Sequence, residues 1–165
     1  GVVIGDLGFI LNCRGDYYEL DPDHANALMP GKRPRSTLTP TLVMKDGKPF
    51  MAVGSPGGDD QVMRTIQTLL NVIEFGMNVQ EACEAANITS YQMRSSCGLH
   101  QVQPGRLTLN EDVPLSVRGQ LQAMGYQLDF QRKTSGPITA IYFDQGHGTF
   151  WGGASNYGED YGIAW

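Results

Sequence analysis

The stretch from Thr41 to Asp60 constrains this chain more than any other. TLVM and PFMAVG are short apolar runs, and the segment between them, KDGK, holds Asp46-Gly47. An Asp-Gly pair between two such runs signals a β-hairpin closed by a tight turn. The second run leads directly into Ser55–Asp59 (SPGGD). Behind it stands a helix, with Val62, Ile66, Leu69, Leu70 and Ile73 recurring as an apolar stripe. Gly76 ends that helix. Asn78, followed three residues later by Glu81, forms a capping box that opens a second helix running through Ala86.

Outward from this anchor the signals thin. Residues 1–4 (GVVI) and 8–12 (GFILN) read as strands. An unprotected strand edge invites foreign pairing, so further residues are expected upstream. Residues 21–32 are turn-rich, and residues 33–40 (RPRSTLTP) are basic, then hydroxyl-rich, and stiffened by two prolines. Gln101–Gln103 is a predicted short strand. Pro114 is predicted at the first position of a third helix that carries Leu115, Leu121 and Met124 and ends at Gly125. Strands follow at 127–131, 138–144 and 149–151, the last two joined by Gln145–Gly148. This order predicts an α+β layer arrangement in one domain over residues 1–165.

Composition excludes several classes. The net charge is −5 with scattered basic residues, which argues against nucleic acid as a partner. The sequence has no apolar run of about 18 residues, so no helical membrane span is expected. Cys13, Cys83 and Cys97 have the spacing of neither a disulfide framework nor a zinc site. His24, His100 and His147 lie far apart, so no metal or organic cofactor is implied.

Three segments can carry chemistry. Gly57-Gly58 lets backbone approach a ligand without a Cβ, and N–H groups ahead of a helix can face developing negative charge. The alternative is a plain strand-to-helix turn, and the Gly-Lys-Ser/Thr ending of a phosphate loop is missing. Ser36 and Thr37 offer hydroxyls to a carboxylate or to their own turn. In residues 12–16, Arg14 has the fork that grips a carboxylate, or else pairs with Asp16 or Glu19 on the surface.

Together these pieces resemble the small subunit of the γ-glutamyltransferases. The run PGKRPRSTLTPTLVMKDGKPFMAVGSPGGDDQ is similar to that family's PxKRPxSSMSPT segment, DGK hairpin and GSPGG turn. LLNVIEFGMNVQEA resembles the helix that follows, and FWGGASNYGEDYGIAW the C-terminal segment. The resemblance implies an αββα sandwich of the N-terminal-nucleophile hydrolase type, made by a precursor that cuts itself into two subunits. It implies cleavage of γ-glutamyl amides through an acyl-enzyme on an N-terminal Thr, whose own amino group is the base. By motif, Gly57 and Gly58 supply the oxyanion hole, Ser36 and Thr37 bind the α-carboxylate of the glutamyl group, and Arg14, Asp16 and Tyr17 are further expected substrate-binding residues. The implied partners are the large subunit, in a heterodimer or dimer of heterodimers, and a small γ-glutamyl or glutaryl amide.

The sequence departs from the family pattern at three points. The Thr-Thr-His-like nucleophile stretch is expected upstream of Gly1, since Thr37, Thr39 and Thr41 are internal, and the large subunit is expected to supply an arginine. The family's Asn-Asn-Gln-Met-Asp-Asp reads here Asn12-Cys13-Arg14-Gly15-Asp16-Tyr17. Arg14 replaces a glutamine, and Tyr17 replaces an aspartate that grips the substrate's amino group. This form looks like the acylase-like branch, some of which act on glutaryl amides that have no α-amino group. The loop before PGKRP is also short, which opens the site to water and predicts hydrolysis over transpeptidation. The runner-up is a noncatalytic homologue that binds a small acid or a protein. Free cysteines favour a reducing, cytoplasmic interior over an exported one.

Overall fold

Asp46 and Gly47 both adopt positive φ, 50° and 75°, the conformation a two-residue turn needs to match strand twist. In the computed structural model, which describes residues 2–134 and 136–158, they join β1 (Thr41–Lys45) to β2 (Lys48–Gly54) as expected. The ladder slips between Val43 and Met44, leaving Phe50 as an extra residue in β2. That bulge leaves Phe50 packed on the same core as Met51. β2 also pairs antiparallel with β6 (Thr139–Asp144), and β6 with β7 (Thr149–Ala154), giving the sheet order β1-β2-β6-β7.

Between β2 and β6 the chain builds the helical layer and a second sheet. Helices α1 (Asp60–Ile73) and α2 (Val79–Glu84) pack on one face of the first sheet. The core there is Met51, Val53, Val79, Cys83, Ile138 and Ala140. Burial pushes the Cys83 thiol up to about 11, as befits a packing residue. The capping box at Asn78 and Glu81 is present in both directions, at 2.9 Å each, and α2 stops at Glu84, two residues short of the expected end.

The second sheet, β3-β4-β5, corrects the sequence reading. β3 (Ile88–Ser90) and β4 (Arg106–Asn110) lie where no strand was predicted, and Gln101–Gln103 is irregular. Pro104-Gly105, with Gly105 at φ 78°, turns the chain into β4, where Leu107 and Leu109 enter a second core with Val113. β4 pairs parallel with β5 (Gln127–Gln131) across α3 (Leu115–Ala123). Pro114 caps α3 with extended ψ rather than occupying its first turn.

The N-terminal strands are also corrected. Residues 2–12 make one antiparallel bridge, Val3 to Ile10, and Leu11 N–H donates to Val2 O at 2.8 Å. No described strand lies beside them to extend that bridge into a ladder. The helix α1 is amphipathic with its burial reversed. Val62, Ile66, Leu70 and Ile73 are exposed, while Gln61, Arg64, Thr65 and Thr68 face inward. The reason lies in what α1 sits beneath.

Candidate active site around the Gly57–Gly58 turn

β2 ends at Gly54, and the chain must reverse within five residues to start α1. Gly57 takes φ 120° and Gly58 φ 65°, values that side-chain-bearing residues rarely adopt. Among the described residues, neither of their N–H groups donates a hydrogen bond. Both sit one turn ahead of a helix N-terminus, where the backbone dipoles favour negative charge.

The inward polar face of α1 supports this turn from below. Arg64 is only 4% exposed. Its Nη2 pairs with Asp60 Oδ2 at 3.0 Å, and its Nη1 donates to Ser55 Oγ at 3.2 Å and to the Pro56 carbonyl. Burial pulls the guanidinium pKa below its ordinary value, and Asp60 opposes that shift. Ser55 Oγ donates in turn to Pro137 O at 2.8 Å, fastening the turn to the lead-in of β6. Gln61 links the turn to the other candidate segment. In the orientation its surroundings require, its amide donates to Ser55 O (3.0 Å) and Thr37 O (3.2 Å).

Thr37 is buried, and its hydroxyl meets Tyr17 Oη at 3.4 Å and Arg14 Nη1 at 3.5 Å. Arg14 Nη1 also donates to Tyr17 Oη at 2.5 Å, and the guanidinium lies 4.8 Å from the Tyr17 ring centroid. Arg14 and Tyr17 stand on a single 3-10 turn, Arg14–Tyr17, opened by Asn12 Oδ1 accepting the Arg14 N–H at 2.8 Å. That turn is held from outside. Asn26 donates to Tyr17 O, Asp16 accepts the Gly98 N–H at 3.0 Å, and Glu19 pairs with Arg94 at 3.1 Å.

The structure therefore brings Arg14, Tyr17 and Thr37 into one cluster and ties that cluster to the Gly57–Gly58 turn through Gln61. It does not bring in Ser36 or Asp16. Ser36 is exposed, and its hydroxyl accepts the Leu38 N–H at 3.2 Å, a local turn bond. Arg35 lies 3.9 Å from Asp59, whose carboxylate accepts the Ser96 N–H at 2.7 Å. Among the described residues Arg14 makes no ion pair, so its charge faces the cluster unneutralised. Sequence reasoning missed Arg64 and Gln61, because polar residues inside an amphipathic helix read as its solvent face. Among the described residues no three of His, Cys, Asp or Glu gather as metal ligands. Residues 159–165 of the C-terminal motif lie outside the described residues.

The γ-glutamyltranspeptidase family profile matches residues 1–165. The glutathione hydrolase proenzyme of Bacillus subtilis (strain 168) is 35% identical over 156 residues, covering 94% of this chain and 25% of that protein. The acylase ACY 1 proenzyme of Pseudomonas sp. (strain SE83) is 29% identical over 153 residues, covering 93% and 25%. The chain thus spans about a quarter of the length of these curated relatives. An acivicin-inhibited γ-glutamyltranspeptidase crystal structure superposes with a TM-score of 0.80 at 30% identity, covering 96% of this chain and 86% of that one. On these grounds the chain belongs to the γ-glutamyltranspeptidase family, and its α+β layers are the small-subunit portion of the N-terminal-nucleophile hydrolase sandwich.

Proposed function

We propose that the intact protein is a γ-glutamyltransferase-like amidohydrolase that cleaves γ-glutamyl or glutaryl-type amides through an acyl-enzyme. In this reading the attacking Thr and an arginine for the acyl carboxylate come from the remainder of the precursor. This chain supplies the Gly57 and Gly58 N–H groups that receive the oxyanion. Thr37 and Arg14 receive the carboxylate of the acyl group, with Tyr17 completing the wall. Asp16 acts indirectly, by holding the Arg14–Tyr17 turn against Gly98.

The observation that carries the reading is the Arg14–Tyr17–Thr37 cluster, joined through Gln61 to a glycine turn with unengaged N–H groups. A guanidinium and two hydroxyls suit a carboxylate. Among the described residues the cluster contains no acidic side chain to meet an α-ammonium group; Asp16 and Asp59 accept instead from the Gly98 and Ser96 N–H groups. A buried ammonium without a counter-charge is costly, so the cluster favours glutaryl over γ-glutamyl groups. Catalytic proenzymes among the relatives favour this reading over a noncatalytic binder.

The test is to give the intact, processed protein γ-glutamyl and glutaryl p-nitroanilides, with and without glycylglycine. Both are expected to be cleaved, glutaryl with the higher kcat/KM, and water is expected to outcompete glycylglycine. Processed protein that cleaves neither anilide would sink the reading. A dominant transfer product would sink the preference for hydrolysis.

A further inference from the structure

Arg64 is the only charged residue among the described residues that is buried, and it is flanked by two glycines. A Cβ built on Gly57 would lie 2.5 Å from Arg64 Nη1, and one built on Gly136 would also lie 2.5 Å from it. The guanidinium therefore fills a slot between two glycines, and a Cβ on either would push it from its present place. Inside the slot it reaches three oxygens: the Pro56 carbonyl, Ser55 Oγ and Asp60 Oδ2.

The Pro56 carbonyl matters most. It belongs to the same planar peptide as the Gly57 N–H, and no described peptide bond is cis. In a trans peptide the C=O and N–H point in opposite directions. Pinning the Pro56 oxygen toward α1 thus turns the Gly57 N–H away from α1. A cation on the carbonyl also polarises the peptide and strengthens its N–H as a donor.

We propose that Arg64 is a positioning residue that aims the Gly57 N–H at the oxyanion and makes it a stronger donor. The inference rests on the oxyanion role of the Gly57–Gly58 turn proposed above. It adds a residue that never touches substrate yet acts only as charge develops on the carbonyl oxygen. Its loss therefore lowers kcat and leaves KM in place.

The experiment uses the intact, autoprocessed protein with the better of the two anilides. Arg64→Ala empties the slot, and a cleft of about 350 Å³ lined by Pro56, Gly57, Arg64, Lys133, Gly136 and Tyr157 gives added guanidinium ion a route into it. Gly136→Ala crowds the guanidinium from the opposite wall without altering the turn. Losing a whole oxyanion donor costs roughly 10²–10³ in kcat, so a misaimed donor is expected to cost about 10–100-fold, with KM unchanged within about twofold. Millimolar guanidinium chloride should recover several-fold of the Arg64→Ala loss, and methylammonium none. A purely structural role would lower the folded fraction and the unfolding midpoint, whereas positioning lowers and restores kcat at an unchanged midpoint and KM.

Wild-type protein that cleaves, alongside folded variants that keep its kcat or lose only KM, overturns this inference alone. Absent guanidinium rescue with kcat still low assigns Arg64 to scaffolding and also overturns it. Wild-type protein that cleaves neither anilide removes the oxyanion reading and this inference with it. If neither variant folds, Arg64 is a folding residue and the positioning role falls.

Discussion

Tyr17 lies beside the Arg14 guanidinium with its hydroxyl on Thr37, where an acidic side chain would have put a negative charge. Tyr17→Asp should therefore shift the ratio of kcat/KM toward γ-glutamyl over glutaryl anilide by about tenfold, or ~1.4 kcal/mol. Parallel kinetics on the two anilides would check it, and an unchanged ratio would remove Tyr17 from acyl selection. At this scale the sequence revealed the residues that announce themselves by type. Gly57-Gly58 stood out as a doublet before a helix, and Arg14 as a lone fork in a turn. Gln61 and Arg64 stayed hidden, because a polar residue on a helix looks the same whether it faces water or a buried carbonyl. Ser36 and Thr37 are adjacent and chemically alike, yet only Thr37 lies in the cluster, a difference of backbone direction that residue type does not encode.

Two glutamine side chains act as pieces of strand. Gln67 on α1 donates to Ile88 O and accepts from Ile88 N–H, at 3.0 and 2.9 Å, where β3 begins. Gln80 on α2 does the same to Ala154 at the end of β7, at 2.9 and 3.1 Å. The β7–α2 contact is close because Gly153 has no side chain: a Cβ there would lie 2.6 Å from Val79 O. Since backbone must move to admit it, Gly153→Ala should destabilise the intact protein by about 1–3 kcal/mol. The shift in a urea unfolding midpoint, with the slope unchanged, measures this; a wild-type midpoint would contradict the packing described. The hairpin and the capping box were legible because each is specified by residues a few positions apart. β3 and β4 were not, since their pairing depends on partners contributed from distant sequence. The N-terminal apolar runs have strand-like composition, but composition alone supplies no neighbour to pair with.

On the scale of the molecule, two apolar surfaces stay uncovered by any described element. One is the sheet face opposite the helices, where Leu42, Ala52 and Ile141 form a row across three strands, with Leu42 58% exposed. The other is the outward stripe of α1. Contiguous apolar surface of this kind marks an interface. The 165-residue chain expressed alone should therefore self-associate and bind a hydrophobic dye, and co-expression with the rest of the precursor should abolish both. Sedimentation with dye fluorescence is the check, and a dye-silent monomer would oppose it. The sandwich was legible as a family pattern. Which surfaces of this chain remain open was not, because the polar inward face of α1 inverts the usual rule.

The cluster around Arg14 and Tyr17 hangs on a peripheral segment that belongs to neither hydrophobic core and is fastened by a handful of polar ties. The glycine turn, in contrast, is welded between β2 and α1. With the roles proposed above, acyl-group preference can drift through exchanges in that tethered strip while the oxyanion turn stays intact. A protein with this division can change what it cleaves without rebuilding how it cleaves.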